Sequence, residues 1–262
     1  METVLVDRRE GVVTLTLNRP EKRNAANQQM WRELGEVFEE VAERREDRVL
    51  VITGSGDGFC SGADLSDRVS SAERRSGPGA GMSRLRRIGK VALGLHQLPK
   101  PTIAAVNGVA AGAGCNLALG CDLIVASERA RFSEIFVQRG LTLDFGGAWL
   151  LPRLIGLHKA KELAFFGEII SAEQAASIGF VNRVVAPEEL QRTAAEMAAR
   201  LATLPPLALS LIKMALNRSL SLSMAETLEL EALAQTTVYG TEDMQEAMRA
   251  FAEKRPPQFT GE

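Results

Sequence analysis

The stretch from Ile103 to Arg153 constrains the fold more than any other part of the chain. It opens on an apolar run, Thr102–Val106, that reads as a buried strand and stops at the turn pair Asn107-Gly108. Small residues from Val109 to Cys115 then feed a helix expected to start near Gly114. A second apolar strand follows at Leu123–Val125, and a loop carries Asp144 into a helix led by Gly146-Gly147. Small residues at a strand-to-helix turn let a backbone come close to a ligand. The first N–H groups of such a helix have no partner within it, and its dipole favours negative charge. That is the geometry of an oxyanion hole.

The rest of the chain alternates strand and helix before becoming wholly helical. Thr3–Asp7 and Gly11–Leu17 read as a hairpin, and Arg48–Thr53 as a short buried strand of the parallel kind. Asn27–Arg45 places Met30, Leu34, Val37, Phe38 and Val41 on one helical face. Arg84–Leu98 reads as a second helix. Between them, Ser66–Gly81 is rich in Ser, Gly and Arg, includes the pair Arg74-Arg75, and reads as a flexible segment. Further helices are expected at Leu157–Gly167, Ser171–Ile178, Glu188–Leu201, Pro206–Arg218, Ser223–Tyr239 and Glu242–Lys254, with a strand at Val181–Val185. Ser171 with Glu173 and Gln174 carries capping-box chemistry. The fold class is α/β with an all-helical C-terminal third. A helical tail of that length exceeds what its own core needs, so it is expected to pack on another subunit.

Composition excludes several functions. A net charge of −2 favours neither nucleic acid nor an anionic membrane as partner. No apolar run approaches a membrane span, and no apolar segment near the start reads as a signal peptide. Cys60, Cys115 and Cys121 have no CxxC spacing and read as small packing residues. With only two histidines, His96 and His158, no metal site is expected. A reduced, cytoplasmic protein fits this pattern.

The run AAVNGVAAGAGCNLALGCDLIVAS resembles the signature of the crotonase (enoyl-CoA hydratase/isomerase) superfamily. LNRPEKRNA at 17–25, GFCSGADL at 58–65, GGAWLLPRLIG at 146–156 and AFAEKRPPQF at 250–259 match at the expected distances, so the likeness spans nearly the whole chain. The resemblance implies a crotonase-like repeated ββα spiral core over residues 1–200, holding the coenzyme A and acyl site. It implies a helical trimerisation region over 201–262, giving a homotrimer or a dimer of trimers. No permanent cofactor is implied; coenzyme A arrives as part of the thioester substrate. The loop at Lys22, Arg23 and Ala25 would lie along the coenzyme A. The backbone around Ser61, Ala63, Asp64 and Leu65 would receive its adenine, with Asp64 fixing the loop. Gly112 would border the substrate, and Phe251 and Lys254 would reach a neighbour's site. The segment 66–81 would border the acyl pocket. The oxyanion donors would be the N–H groups of Ala63 and Ala113; alanine at the second, where the family usually has glycine, keeps the N–H.

The acid/base positions depart from the family's hydratases, which use two glutamates. Matching the motifs puts Asn116 and Phe136 there, and neither transfers protons. Glu134, two residues from the second position, is expected to point elsewhere. GLTLDFGGAW instead resembles the GLxPDxGG stretch of the subgroup that includes the isomerase of ring-epoxidised phenylacetyl-CoA and Δ3,Δ2-enoyl-CoA isomerases. That subgroup also carries asparagine at Asn116 and an apolar residue at Phe136. Leu143 and Phe145 depart from its usual proline and small residue. One carboxylate suffices to move a double bond, because it can lift a proton from C2 or C4 and return it to the other end. The expected roles are Asp144 as acid/base and Asn116 as orienter of substrate or of the Asp144 carboxylate. Asp144 could also cap the following helix. The alternatives are an enoyl-CoA hydratase of fatty-acid degradation, a non-catalytic acyl-CoA-binding homologue, and an aspartyl nucleophile that would want a nearby histidine such as His96.

Overall fold

The computed structural model describes residues 1–66 and 78–262. The Arg74-Arg75 pair and most of the Ser/Gly/Arg-rich segment lie outside them. The first strands, β1 (Val4–Arg9) and β2 (Val12–Leu17), form the expected antiparallel hairpin. Helix α1 (Gln28–Glu43) follows, with the Asn27 side chain accepting the Met30 N–H at 2.8 Å as its cap. Next come β3 (Val49–Gly54) and β4 (Gly58–Cys60), then α2 (Pro78–His96). This helix starts before the expected Arg84. Proline is tolerated in a helix's first turn, where its missing N–H would have had no partner. The same strand–strand–helix unit recurs as β5 (Thr102–Val106), β6 (Val109–Ala111) and α3 (Ala113–Leu119). It recurs again as β7 (Leu123–Ser127), β8 (Arg131–Ser133) and α4 (Gly147–Ile155).

Each unit sends its first strand to one sheet and its second to another. The larger sheet has the order β1-β2-β3-β5-β7-β10, where β10 is Arg183–Val185. The smaller has β4-β6-β8-β9, where β9 is Ile170–Ser171. Pairing within the three repeats is parallel throughout. This is the repeated ββα spiral. Asn107 bolts successive turns together: it accepts the Gly54 N–H at 3.2 Å and donates to the Gly56 carbonyl at 2.8 Å.

The larger sheet is covered on both faces, which is why β3 and β5 are buried end to end. One face carries the main core, including Leu15, Met30, Leu34, Leu50, Ile52 and Leu117. On the other, Val49, Val51, Ile103, Ala105 and Val125 meet Leu190, Ala194 and Ala198 of α7 (Leu190–Ala202). Between α4 and α7 lie α5 (Leu157–Phe166) and α6 (Ala172–Ser177), the latter closed by a Ser171–Gln174 capping box. The chain ends with α8 (Pro206–Ser219), α9 (Met224–Tyr239) and α10 (Glu242–Glu253). Helices α8 and α9 contain no fully buried residue and leave Ile212, Leu216, Leu228 and Leu233 exposed. The final residues fold back, with Asp243 accepting the Thr260 N–H at 2.7 Å and Arg48 donating to the Thr260 carbonyl at 2.7 Å. Among the described residues no single helix is long and apolar enough to cross a membrane.

Candidate active site

Three segments far apart in sequence converge beside the smaller sheet. The loop at 22–26 lies along 61–64: Ser61 N–H donates to the Arg23 carbonyl at 3.0 Å, and its hydroxyl to the Lys22 carbonyl at 3.2 Å. Ala26 N–H donates to the Gly62 carbonyl at 2.8 Å and accepts from Asp64 N–H at 2.9 Å through its own carbonyl, forming a parallel bridge between Ala26 and Ala63. In that bridge Gly62 and Asp64 use the side facing Ala26, so the N–H of Ala63 points the opposite way. On that opposite side lies the third segment. A Cβ on Gly62 would stand 2.8 Å from the Ala111 carbonyl oxygen and 3.8 Å from the Ala113 nitrogen, and Gly62 has a φ of +101°. Only glycine fits both demands. Ala113 is the first residue of α3, after Gly112 at φ +54°, so its N–H is one that the helix leaves without an internal partner.

Asp64 is built into this framework. It is 9% exposed, pairs with Arg19 at 2.9 Å and accepts the Ser66 N–H and hydroxyl at 3.0 and 2.6 Å. Burial alone would raise its carboxyl pKa, but the bonds from Ser66 and Arg19 outweigh it and hold the group below the usual range. Lys22, Arg23 and Leu65 are exposed on the outside of the same loops, and Ala25 is half-buried. Phe251 is 82% exposed on α10, with Lys254 at that helix's C-terminal cap in a left-handed conformation. Neither joins the bonds that draw the other segments together.

The fourth segment is the turn that carries Asp144. Phe145 has φ +49° and Gly146 φ +82°, and Gly147 N–H donates to the Asp144 carbonyl at 3.0 Å. Two successive left-handed residues closed by that bond match a type I′ turn. Phenylalanine in this conformation is strained. Its ring is 3% exposed and packs on Trp31 with centroids 5.1 Å apart, which offsets the strain through burial. The Phe145 departure therefore anchors the turn. Gly146 is the cap residue of α4, and the left-handed turn sets Asp144 two residues before it. Asp144 itself is half-buried.

Asn116 lies under this turn and is fully buried. Its amide donates to the Asp144 backbone carbonyl at 2.9 Å and approaches a Glu134 carboxylate oxygen at 3.4 Å. Of the two expected roles, orienting substrate or the Asp144 carboxylate, the bond made here is to neither: Asn116 grips the Asp144 backbone. The packing is close enough that a Cβ on Gly147 would stand 2.4 Å from the Asn116 amide nitrogen. Glu134 points away from any substrate, as expected: it follows β8 directly, is 2% exposed, and takes hydrogen bonds from the Cys115 thiol and Asn116. Burial, reinforced by the Asp144 charge, pushes its carboxyl up to about 7 against those hydrogen bonds. Phe136 is 6% exposed, an apolar wall where a hydratase would need a carboxylate.

A cavity of about 920 Å³ opens next to the turn, between α2, α4 and α8, with Leu93, His96, Phe145, Gly146, Trp149 and Met214 on its walls. His96 stands edge-on to Trp149 at 4.9 Å, so the structure does bring it to the wall beside the turn. Burial, with the Lys213 charge, lowers its pKa.

The family model for enoyl-CoA hydratase/isomerase matches residues 7–262. The chain belongs to that family. It is 44% identical over 261 residues to the 1,2-epoxyphenylacetyl-CoA isomerase of Escherichia coli K12, covering 100% of this chain and 99% of that protein. It is 38% identical to the short-chain-enoyl-CoA hydratase of Clostridium acetobutylicum, covering 97% and 96%. The crystal structure of an enoyl-CoA hydratase from Bacillus anthracis superposes with a TM-score of 0.94 at 34% identity, covering both chains fully. The crotonase fold and the hydratase/isomerase family are thus shown together. The crotonase-family resemblance located the three converging segments and Asp144. It did not reveal the Glu134–Asn116 contact or the Trp31–Phe145 contact, which arise only from tertiary packing.

Proposed function

We propose that this family member is an acyl-CoA isomerase. It moves a double bond in an enoyl-CoA or a ring-derived acyl-CoA, with Asp144 as the acid/base. The Ala63 and Ala113 N–H groups hold the thioester oxygen as it gains charge; removing one such donor typically costs about 3 kcal/mol of barrier. Asp144 lifts a proton from one end of the allylic system and returns it to the other. The observation that carries the reading is the contrast between two carboxylates. Asp144 is half-buried on a doubly held turn beside the cavity, whereas Glu134 is sealed at 2% exposure and Phe136 offers no acid. The 44% identical relative named as an isomerase supports it.

The Ser61–Asp64 and Lys22–Ala25 loops hold the coenzyme A portion, and the acyl group reaches from the two oxyanion donors to the Asp144 turn. Residues 201–262 form the oligomerisation region of a homotrimer or dimer of trimers. Support for this is the apolar surface left exposed on α8 and α9, helices that bury no residue of their own. Phe251 and Lys254 then serve a neighbouring subunit.

A hydratase reading is favoured by relatives of 36–40% identity that carry hydratase names. It would need a second proton-transfer group, and a sealed Glu134 cannot touch a substrate. Asp144→Asn separates the readings. It is expected to abolish isomerase turnover and leave acyl-CoA affinity within a few-fold. Unchanged turnover overturns the role of Asp144.

A further inference from the structure

Glu134 is a buried carboxylate near the site that the proposed reaction leaves unused and that, unlike Asp64, has no cation paired with it among the described residues. It sits behind the Asp144 turn, in contact with Cys115 and Asn116. The space around it is a cavity of about 10 Å³, too small for anything larger than one water, so no acyl group reaches it. One of its carboxylate oxygens and the Asn116 amide oxygen are buried with no hydrogen-bond partner. A burial this unfavourable for a carboxylate calls for an explanation beyond packing.

The groups facing it are few. From α3 come the Cys115 thiol and the Asn116 amide; from the turn comes the Asp144 charge; Glu168 lies at the cavity's outer edge and is exposed. Arg131 and Arg139, on its own strand and turn, are exposed, and the Arg131 guanidinium donates to the Glu128 and Ala130 carbonyls. Among the described residues lining the small cavity there is no Lys, Arg or His. Among the described residues the charge that acts on Glu134 is that of Asp144, and the Asn116 amide spans the two, bonded to the Asp144 backbone and close to the Glu134 carboxylate.

We infer that Glu134 is a positioning residue for Asp144: through Asn116 it fixes the turn, and its negative charge, when present, strengthens Asp144 as a base. The inference rests on the proposed role of Asp144. Two like charges that disfavour one another do so reciprocally. With Glu134 ionised, Asp144 binds a proton more tightly and takes one from carbon more readily. With Glu134 neutral, that assistance is absent. Because Glu134 titrates near neutrality, the assistance switches on across the physiological range.

The test compares wild type with Glu134→Gln, Glu134→Leu and Asp144→Asn. The kcat for a 3-enoyl-CoA is followed from pH 5.5 to 8.5. Glutamine keeps an oxygen for Asn116 and removes only the charge. The ratio of wild-type to Glu134→Gln kcat is expected to rise from near one at low pH to about three- to ten-fold at high pH, with KM little changed. Glu134→Leu, which loses the grip on Asn116, should lower kcat at every pH. A wild-type to Glu134→Gln ratio that stays flat with pH overturns the inference. A second readout needs no activity: urea stability against pH. Asp144→Asn is expected to move the Glu134-dependent stability decline down by about one pH unit. The same decline in wild type and Asp144→Asn overturns the coupling. If wild type shows no isomerisation, the functional reading fails, and the stability comparison still decides whether Glu134 and Asp144 are coupled.

Discussion

Replacing Glu134 with glutamine should make the protein more stable at alkaline pH and leave it unchanged in acid. The Glu134 carboxyl is raised from an ordinary 4.5 to about 7 in the folded chain. Below about pH 4.5 the group is protonated whether the chain is folded or not, and its burial costs no charge. Between there and about 7 the unfolded chain ionises while the folded one keeps its proton, so folding stability falls as pH rises. At 1.36 kcal/mol per pH unit, the gap between 4.5 and about 7 amounts to about 3 kcal/mol. Glutamine is neutral throughout and removes the decline. A chain of this size shifts about 2–3 °C in Tm per kcal/mol. The variant's Tm should therefore match wild type near pH 4.5 and exceed it by about 6–9 °C at pH 8. Paired thermal and urea melts at the two pH values measure this. Parallel stability curves would refute the argument, because they would mean that Glu134 is solvated and ionised in the fold.

Asn116→Ala should destabilise the chain by about 1–3 kcal/mol, since it leaves the Asp144 carbonyl and the Glu134 carboxylate short of a donor. It should lower kcat more than it raises KM; steady-state kinetics with a urea melt checks both. Gly62→Ala forces a Cβ within 2.8 Å of the Ala111 carbonyl at a φ of +101°. It should cost about 1–3 kcal/mol of stability and spread the two proposed oxyanion donors, seen as a drop in kcat. Glu33 is buried at the start of β1 and accepts the Thr3 and Val4 N–H groups at 2.9 and 3.1 Å. Burial opposes its ionisation, but hydrogen bonds from Thr3, Glu2 and Gln29 outweigh it and hold the carboxyl at about 2. Its contribution is present above pH 4.5 and lost as pH falls toward 2. Glu33→Gln should remove that part of the acid-denaturation profile.

The fold was legible because its signals are local. Asn27 and Ser171 announce helix starts through their caps, and the buried strands β3 and β5 are apolar from end to end. The converging loops were placed by the crotonase resemblance of their motifs. The site's second layer could not. Glu134 reads as a carboxylate two positions off the second acid/base position, and only the packing of α3 against the Asp144 turn shows its side chain turned inward. Phe145 reads as an intrusion beside Asp144. Its value depends on Trp31, over a hundred positions earlier, filling the other side of the contact. The start of α2 at Pro78 was hidden by glycines that usually argue against a helix.

The central claim is that one carboxylate, Asp144, runs the chemistry. The most direct test is a paired assay on the purified protein. One arm follows conversion of a 3-enoyl-CoA to the conjugated 2-enoyl-CoA; the other follows crotonyl-CoA for loss of conjugation by hydration. The account predicts isomerisation without comparable hydration, and loss of the isomerisation in Asp144→Asn. Hydration at a rate matching isomerisation, or isomerisation that survives Asp144→Asn, would contradict it.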